Sequence, residues 1–419
     1  MASTTEPPSS RPTSADVTAR RARVAVAVLF LVNGLTLANV VPWFPLIKSD
    51  LALTNTTFGL GLAVGPLGGL LCGITVGPLA ARFGSGRTAT RGALLGLLGL
   101  PAIALAPVWV GFAGAMLLLG SADAVTDAAM NAHALRVQRR YRRSIINSFH
   151  ALWSAGAVAG GLIGAGAVAL GVPRPVHLGT VAVVLAVAVV VARRWQLGGP
   201  EHAEQVADGA AAATDDDTAA PAAPDAGQGI RQALRTAPWL LLGFAGLPTM
   251  AGAVEDAAAS WSAIHLRETL DATPFIAGLG FVAAQMLMVV GRVTGDRLVD
   301  RFGAARVARS GSLLAAFGML AVAAGPVPAV VIGGFALAGL GVSTLFPLGL
   351  AAAGNIPGIR SADGVAIASW VARLSFLAVP PVVGVVADAV SLRWGLALVL
   401  LCALVAAALS GLLTDRADG

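Results

Sequence analysis

One short basic motif occurs in each half of the chain, and in both places it separates two long apolar segments. The copies are RFGSGR at residues 82–87 and RFGAAR at residues 301–306. A repeat of this length, with a charged hairpin at the same place in each half, is typical of helical membrane bundles built from two related halves. The motif therefore predicts a chain that is built twice.

The composition indicates that the bundle lies in a membrane. Apolar residues make up 56% of the chain, charged residues 12%, and the mean hydropathy is +0.79. Most of the sequence consists of apolar runs of about 20 residues or more, and each is long enough to cross roughly 30 Å of hydrocarbon as a helix. We therefore predict an integral membrane protein with the lipid bilayer as its solvent.

The apolar runs form two groups of six, which predicts an all-α polytopic protein with twelve transmembrane helices in two pseudo-symmetric bundles. The predicted spans of the first bundle, residues 24–194, are 24–47, 56–81, 88–108, 110–135, 145–170 and 175–193. Those of the second bundle, residues 236–413, are 236–265, 274–299, 306–325, 327–352, 362–388 and 392–413.

Three polar stretches lie outside the bundles. Residues 1–23 and 414–419 form the termini, and residues 195–235 join the two bundles. The joining stretch is rich in Ala, Asp, Gly and Pro, so it buries too little apolar surface to fold. We predict a disordered N-terminus, a disordered linker and a short tail.

Most of the 28 basic residues fall at the termini and in the even-numbered hairpins. Cytoplasmic loops carry an excess of Lys and Arg, so both termini and the linker are predicted to be cytoplasmic. The positive charge is spread over several short loops and is not concentrated in one patch, which argues against a nucleic-acid partner. Cys72 and Cys402 lie within spans, and nothing in the sequence predicts a disulfide, a metal site or a cofactor.

The hairpin motif carries a family resemblance. Together with residues 77–81 before the first copy and 295–300 before the second, it resembles the loop signature of the major facilitator superfamily. The acidic position of that signature is Ala81 in the first copy and Asp300 in the second. The resemblance implies a secondary transporter that works by alternating access, as a monomer, with a gate at these hairpins. The implied gating residues are Arg82, Gly84, Arg87, Asp300, Arg301, Gly303 and Arg306.

Three further stretches resemble a bacterial branch of the superfamily related to fucose-permease-like and sugar-transporter-like carriers. They are DAAMN at residues 127–131, NSFHALWSAG at residues 147–156, and GAVE with WSA at residues 252–255 and 261–263. This likeness implies a sugar-like or other small polar substrate.

Ionisable and amide side chains within the spans are candidates for the transport site, because charge inside a bilayer is unfavourable unless it faces a cavity or a partner. Asp123, Asp127 and Asn131 are spaced by four, so they share one face of the fourth span. Asn33 in the first span is a further candidate. The alternative for Asp127 and Asn131 is a hydrogen bond to a neighbouring helix.

The fifth span contributes a second polar face. Asn147, His150 and Ser154 share that face, and Trp153 lies beside it. Aromatic faces with amide or carboxylate groups suit hydroxyl-rich ligands, which favours a place in the substrate cavity. The alternative is that His150 is an ordinary packing residue.

The seventh span carries adjacent carboxylates, Glu255 and Asp256, followed by Trp261. Two carboxylates so close together are unfavourable when both are ionised in a low-dielectric medium, so one of them is expected to exchange a proton, and we favour Glu255. The alternative is that both carboxylates are hydrated near the outer membrane face.

Arg373 and Trp370 lie in the eleventh span, where an arginine needs an acidic partner or an anionic ligand. The first expected partner is Glu255 or Asp256, and the second is Asp123 or Asp127. Arg292 and Gln285 of the eighth span are secondary candidates.

The sequence thus predicts proton-coupled secondary transport of a small solute. A drug or metabolite efflux carrier and a transporter-like sensor or scaffold stay open as alternatives. An enzyme is not expected, because no nucleophile and base lie at usable spacing.

Overall fold

The computed structural model describes residues 14–73, 75–141, 145–198, 238–357, 359 and 361–413, and it contains no β-strand in these segments. The first bundle has six long helices, as predicted. They are α1 (Ser14–Ala38), α2 (Asn55–Gly73), α3 (Ser85–Leu105), α4 (Trp109–Tyr141), α5 (Ile146–Ala169) and α6 (Arg174–Ala192).

The second bundle repeats the arrangement, which confirms the twelve-helix, two-bundle fold. Its helices are α7 (Pro238–Ile264), α8 (Pro274–Phe302), α9 (Ala304–Ala324), α10 (Pro328–Val342), α11 (Ser361–Ala389) and α12 (Leu392–Leu409). In the described part of the chain, eleven helical stretches are long and apolar enough to cross a membrane by length and composition.

Short helices interrupt or extend several spans. Phe44–Asp50 follows α1 in the first hairpin, Val76–Phe83 continues α2, and Leu345–Gly354 continues α10. A π-helical turn, His265–Thr269, follows α7 directly. The predicted first, second and tenth spans are therefore each divided into separate helices.

Two helices reach beyond their predicted ends. Helix α1 begins at Ser14, so residues 14–23, assigned to the disordered N-terminus by the sequence, are helical. This stretch contains no Gly or Pro, so nothing in it stops a helix from continuing out of the apolar segment. Helix α4 likewise continues to Tyr141. Residues 195–198 are ordered against the first bundle, and the rest of the predicted linker lies outside the described residues.

The repeated motif forms the same turn in both halves. Gly84 and Gly303 each end one helix and precede the next, with φ of 84° and 85°. These positive angles strain residues that carry a Cβ atom, which explains the glycine in both copies. Each glycine follows a phenylalanine that lies against an arginine, with Arg82 over Phe83 and Arg301 over Phe302.

Glycines let α1 and α5 pack closely within the first bundle. A Cβ atom at Gly156 would lie 2.5 Å from the carbonyl oxygen of Leu31, and one at Gly160 would lie 2.9 Å from that of Leu35. Small residues spaced by four permit such contact between membrane helices. Between the bundles, α2 packs against α11 and α5 packs against α8. These two contacts join the halves.

Candidate functional site

A chain of hydrogen bonds joins three helices of the first bundle at its centre. Trp153 Nε1 of α5 donates to Asn33 Oδ1 of α1 at 2.7 Å, and Asn33 Nδ2 donates to Asp123 Oδ1 of α4 at 2.7 Å. Asp123 is solvent-exposed, although it lies deep in the bundle and is surrounded by protein. Solvent access at that depth indicates a central cavity, and the chain fixes the carboxylate at its wall.

Asp127 lies one turn after Asp123 on the same face of α4. Asn131 Nδ2 donates to its carbonyl oxygen at 2.9 Å and to its Oδ1 at 3.0 Å. Across the cavity, Arg373 of α11 is near enough to interact electrostatically with both carboxylates. Arg373 is exposed and forms no ion pair or hydrogen bond with another described residue. One cation of the second bundle therefore faces two carboxylates of the first.

A second charged group lies on the opposite side of the cavity. Arg292 of α8 approaches Glu255 of α7, with 3.8 Å between Nη2 and Oε2. His150 of α5 is exposed, interacts electrostatically with Arg292, and packs edge-on against Phe30 with 5.2 Å between the ring centroids. Side chains from both bundles thus meet here as well.

The remaining predicted site residues differ in how far their side chains are exposed. Ser154 is 2% exposed, Asp256 is 8% exposed and Trp261 is fully buried. Trp370 is 58% exposed on α11, and the side chain of Asn147 lies outside the described residues. In the described segments, no group of three His, Cys, Asp or Glu side chains could hold a metal ion.

The partners of Arg373 differ from the first expectation. The sequence favoured Glu255 or Asp256, yet Glu255 contacts Arg292, and Asp123 and Asp127, the second choice, are the carboxylates that interact with Arg373. A linear sequence carries no information on which carboxylate of the opposite bundle an arginine faces.

One end of the bundle, which we call the sealed end, is held closed by polar contacts between the halves. Lys48 Nζ contacts both oxygens of Glu268 at 2.9 and 2.6 Å. Asp388 at the end of α11 accepts hydrogen bonds from the backbone N–H groups of Asn55 and Thr56 at 2.9 and 2.7 Å, and from Asn55 Nδ2 at 2.8 Å. A carboxylate of one half thus caps the first turn of α2 in the other half.

Three of these sealing residues, Lys48, Glu268 and Asp388, were not predicted from the sequence. Lys48 and Glu268 were the opposite charges of two hairpins on the same predicted side, which was the available signal. Asp388 looked like an ordinary polar residue at the end of its span. Their pairing depends on how the two bundles lie against each other.

Close backbone and aromatic packing completes the sealed end. Gly59 of α2 lies against the carbonyl oxygen of Pro380, and Gly384 of α11 lies against that of Asn55. Phe58 of α2 packs edge-on against Trp261 of α7 with 5.8 Å between the ring centroids. Because all three pairs join opposite halves, the cavity is closed on this side.

The opposite end, which carries the two repeated hairpins, is here called the open end. Asp300 is exposed there and forms no ion pair or hydrogen bond with another described residue. The arginines of both hairpins, Arg82, Arg87, Arg301 and Arg306, are exposed as well. By the loop signature, Asp300 is expected to meet the start of α5 and the arginines before it, and residues 142–144 lie outside the described residues.

The sequence and the fold were compared with known proteins. The profile of the Major Facilitator Superfamily matches residues 26–264 and 249–418. The uncharacterized transporter y4wD of Sinorhizobium fredii (strain NBRC 101917 / NGR234) is 29% identical over 370 residues, which is 88% of this chain and 92% of that protein. The membrane protein MosC of Rhizobium meliloti is 30% identical over 373 residues, with 88% and 84% covered.

Solved structures agree with this relationship at the level of the fold. A point mutant of the nucleoside transporter NupG is similar with a TM-score of 0.74 at 11% identity, covering 95% of this chain and 100% of that structure. The D-xylose-proton symporter is similar with a TM-score of 0.67 at 15% identity, covering 92% and 96%. The twelve helices, the cavity between two related bundles and the matching profile together show that this chain belongs to the Major Facilitator Superfamily, as a transporter.

Proposed function

We propose that the protein carries a small polar solute of sugar-like or nucleoside-like chemistry, by alternating access and coupled to protons. The observation that carries this proposal is the Trp153–Asn33–Asp123 chain on the cavity wall. Carboxylate and amide oxygens accept hydrogen bonds from hydroxyl groups, and an indole offers an apolar face to a ring. The chain orients all three groups before a ligand arrives.

The named functions of structural relatives support the same substrate class. One neighbour is a nucleoside transporter and another is a D-xylose-proton symporter. Nucleosides and D-xylose are both hydroxyl-rich molecules, and the second neighbour is coupled to a proton. The cavity of this chain contains groups that suit both tasks.

The location follows from charge and from the sealed end. If the basic hairpins are cytoplasmic, as their arginines indicate, both termini are cytoplasmic and the sealed end faces outward from a bacterial plasma membrane. The structure then corresponds to an inward-open conformation. We further propose a monomer, because one chain supplies both walls of the cavity.

Export of an organic cation is a second candidate, favoured by the charge balance of the cavity. Asp123, Asp127 and Glu255 supply three carboxylates, against the two arginines Arg292 and Arg373. A positively charged solute would restore the balance that a proton restores in the first proposal.

The substrate proposal predicts that Asn131→Ala and His150→Ala weaken binding by about 1–3 kcal/mol, the free energy of leaving a polar group unmatched. The measurement is a ligand-induced thermal shift of purified protein with D-xylose, uridine and a quaternary ammonium compound, followed by counterflow in proteoliposomes. Val187→Ala, exposed on α6, is the control and should bind as the parent does. Unchanged binding in both site variants would remove the proposed site, and a shift with the ammonium compound alone would favour the second candidate.

The hairpins predict an unequal gate at the open end. A carboxylate near the start of a helix is worth about 0.3–1 kcal/mol when it is exposed, so Asp300→Asn should favour the inward-open state and Ala81→Asp should favour closing of the open end. Double electron–electron resonance measures the distance between spin labels on the two hairpins and would report both shifts. If both variants give the same distances as the parent, the hairpin charges serve only to set the membrane topology.

A further inference from the structure

Asp256 is a buried carboxyl group that the cavity does not explain. Its side chain is 8% exposed in the middle of α7. One oxygen, Oδ1, accepts a long hydrogen bond of 3.3 Å from Ser260 Oγ one turn later. The other oxygen, Oδ2, is buried and has no hydrogen-bond partner.

Nothing near Asp256 balances a negative charge. In the described parts of the chain, no Lys, Arg or His lies within ion-pair distance of it, and its charged neighbour is Glu255. Glu255 carries the same sign and contacts Arg292. One turn before Asp256, Gly252 packs against Ser375 and Phe376 of α11, which contribute a hydroxyl group and an aromatic ring.

An ionised carboxylate is not tolerated in such a place without a partner, whereas a protonated carboxyl group is. A protonated group also turns one oxygen into a donor, so fewer lone pairs are left unmatched. The sequence favoured Glu255 as the proton carrier. That residue lies beside the cation Arg292, and its side chain is partly exposed to the cavity. The two adjacent carboxylates therefore have different environments.

We propose that Asp256, and not Glu255, binds the coupled proton, and that the sealed end closes only when Asp256 is protonated. This proposal rests on the proposed proton-coupled transport and assigns its proton site. When the sealed end is open, the carboxylate takes up a proton from water on that side. Closing buries the neutral group, and a later opening of the α7 wall to the cavity returns the proton to water on the open side.

Helix α7 has the irregularities that such a movement needs. Pro248 lies about two turns before Asp256, and the π-helical turn His265–Thr269 follows the end of the helix. Between them, Trp261 packs against Phe58 of the other half at the sealed end. Opening that end removes the packing of Trp261, so the segment that carries Asp256 is released at the same step.

Infrared spectroscopy of the purified full-length protein tests the protonation directly. At neutral pH the parent should show a carbonyl stretch of a protonated carboxylic acid that is absent from Asp256→Asn and present in Glu255→Gln. Ser260→Ala, which removes the hydrogen bond to Oδ1, should shift that band. An undiminished band in Asp256→Asn, or its loss in Glu255→Gln, would overturn the assignment.

A distance measurement tests the coupling without a substrate. Spin labels at Ser49 and Thr273, exposed on opposite halves of the sealed end, are introduced after Cys72 and Cys402 are replaced by alanine. In the parent, raising the pH should shift the distances toward an open sealed end, and Asp256→Asn should stay closed at every pH. A pH response in Asp256→Asn equal to that of the parent would overturn the coupling. Counterflow of D-xylose or uridine decides the proposed function separately, because exchange requires no proton gradient.

Discussion

Replacing Gly59 by alanine is expected to hold the sealed end open. The added Cβ atom would overlap the carbonyl oxygen of Pro380, and the backbone of α11 has no flexible side chain there that can move aside. Overpacking of this kind costs about 1–3 kcal/mol, which changes the ratio of closed to open molecules by about 5-fold to 150-fold. Gly384→Ala should act in the same direction, because its Cβ atom would overlap the carbonyl oxygen of Asn55.

The labels at Ser49 and Thr273 report this result as a longer distance between the two halves. Gly114→Ala is the matched control, because a Cβ atom at Gly114 meets nothing within 4 Å. It should leave the distances unchanged. If Gly59→Ala also keeps the short distance, α2 and α11 can shift enough to accept the added Cβ atom while the sealed end stays closed. The charges would then be what holds that end.

Replacing Arg373 by glutamine is expected to reduce transport by about 30-fold to 150-fold. Arg373 is the cation of the second bundle that faces Asp123 and Asp127, so its loss leaves two carboxylates on one helix face without a positive charge. Arg373 acts on the two carboxylates through space, and the attraction between one cation and two carboxylates at an effective dielectric constant of about 20 is on the order of 2–3 kcal/mol at separations longer than an ion pair. The measurement is initial-rate counterflow in proteoliposomes.

Two further variants separate charge from shape at Arg373. Arg373→Lys should retain part of the activity, since it keeps the charge and loses the planar guanidinium. Adding Asp127→Asn to Arg373→Gln should restore thermal stability toward that of the parent, because the unbalanced charge is removed. Arg309→Gln, at an exposed position of α9, is the control. If Arg373→Gln lowers the transport rate equally with and without Asp127→Asn, the arginine acts on the solute and not on the carboxylates.

The sequence predicted the fold well, because the bilayer imposes a length and an apolar composition on every span. The repeated hairpins were also predictable, since Gly84 and Gly303 mark turns that a side chain would strain. The breaks that follow α2 and α10, inside the predicted second and tenth spans, were not predicted. Apolar residues lie on both sides of each break. The helical start at Ser14 was missed because polar residues there were assigned to disorder.

The sequence indicates candidate site residues but not their contacts. Asp123 and Asp127 share one face of α4, where Asn131 contacts Asp127, and His150 of α5 is exposed. The Arg292–Glu255 contact and the orientation of Arg373 toward α4 depend on how the two bundles face each other. Sealing by Lys48 and Glu268 depends on the same arrangement, and hairpin charges look alike in sequence whether or not they meet.

The two hairpins also show which positions of the repeated motif are constrained by the backbone and which are not. Gly84 and Gly303 keep nearly the same φ angle, so neither copy could drift at that position without straining its backbone. The position before the first arginine of the motif has no such backbone constraint. The two copies differ there, with Ala81 in one and Asp300 in the other. The two copies thus share the shape of the turn, and only one of them carries the acidic charge.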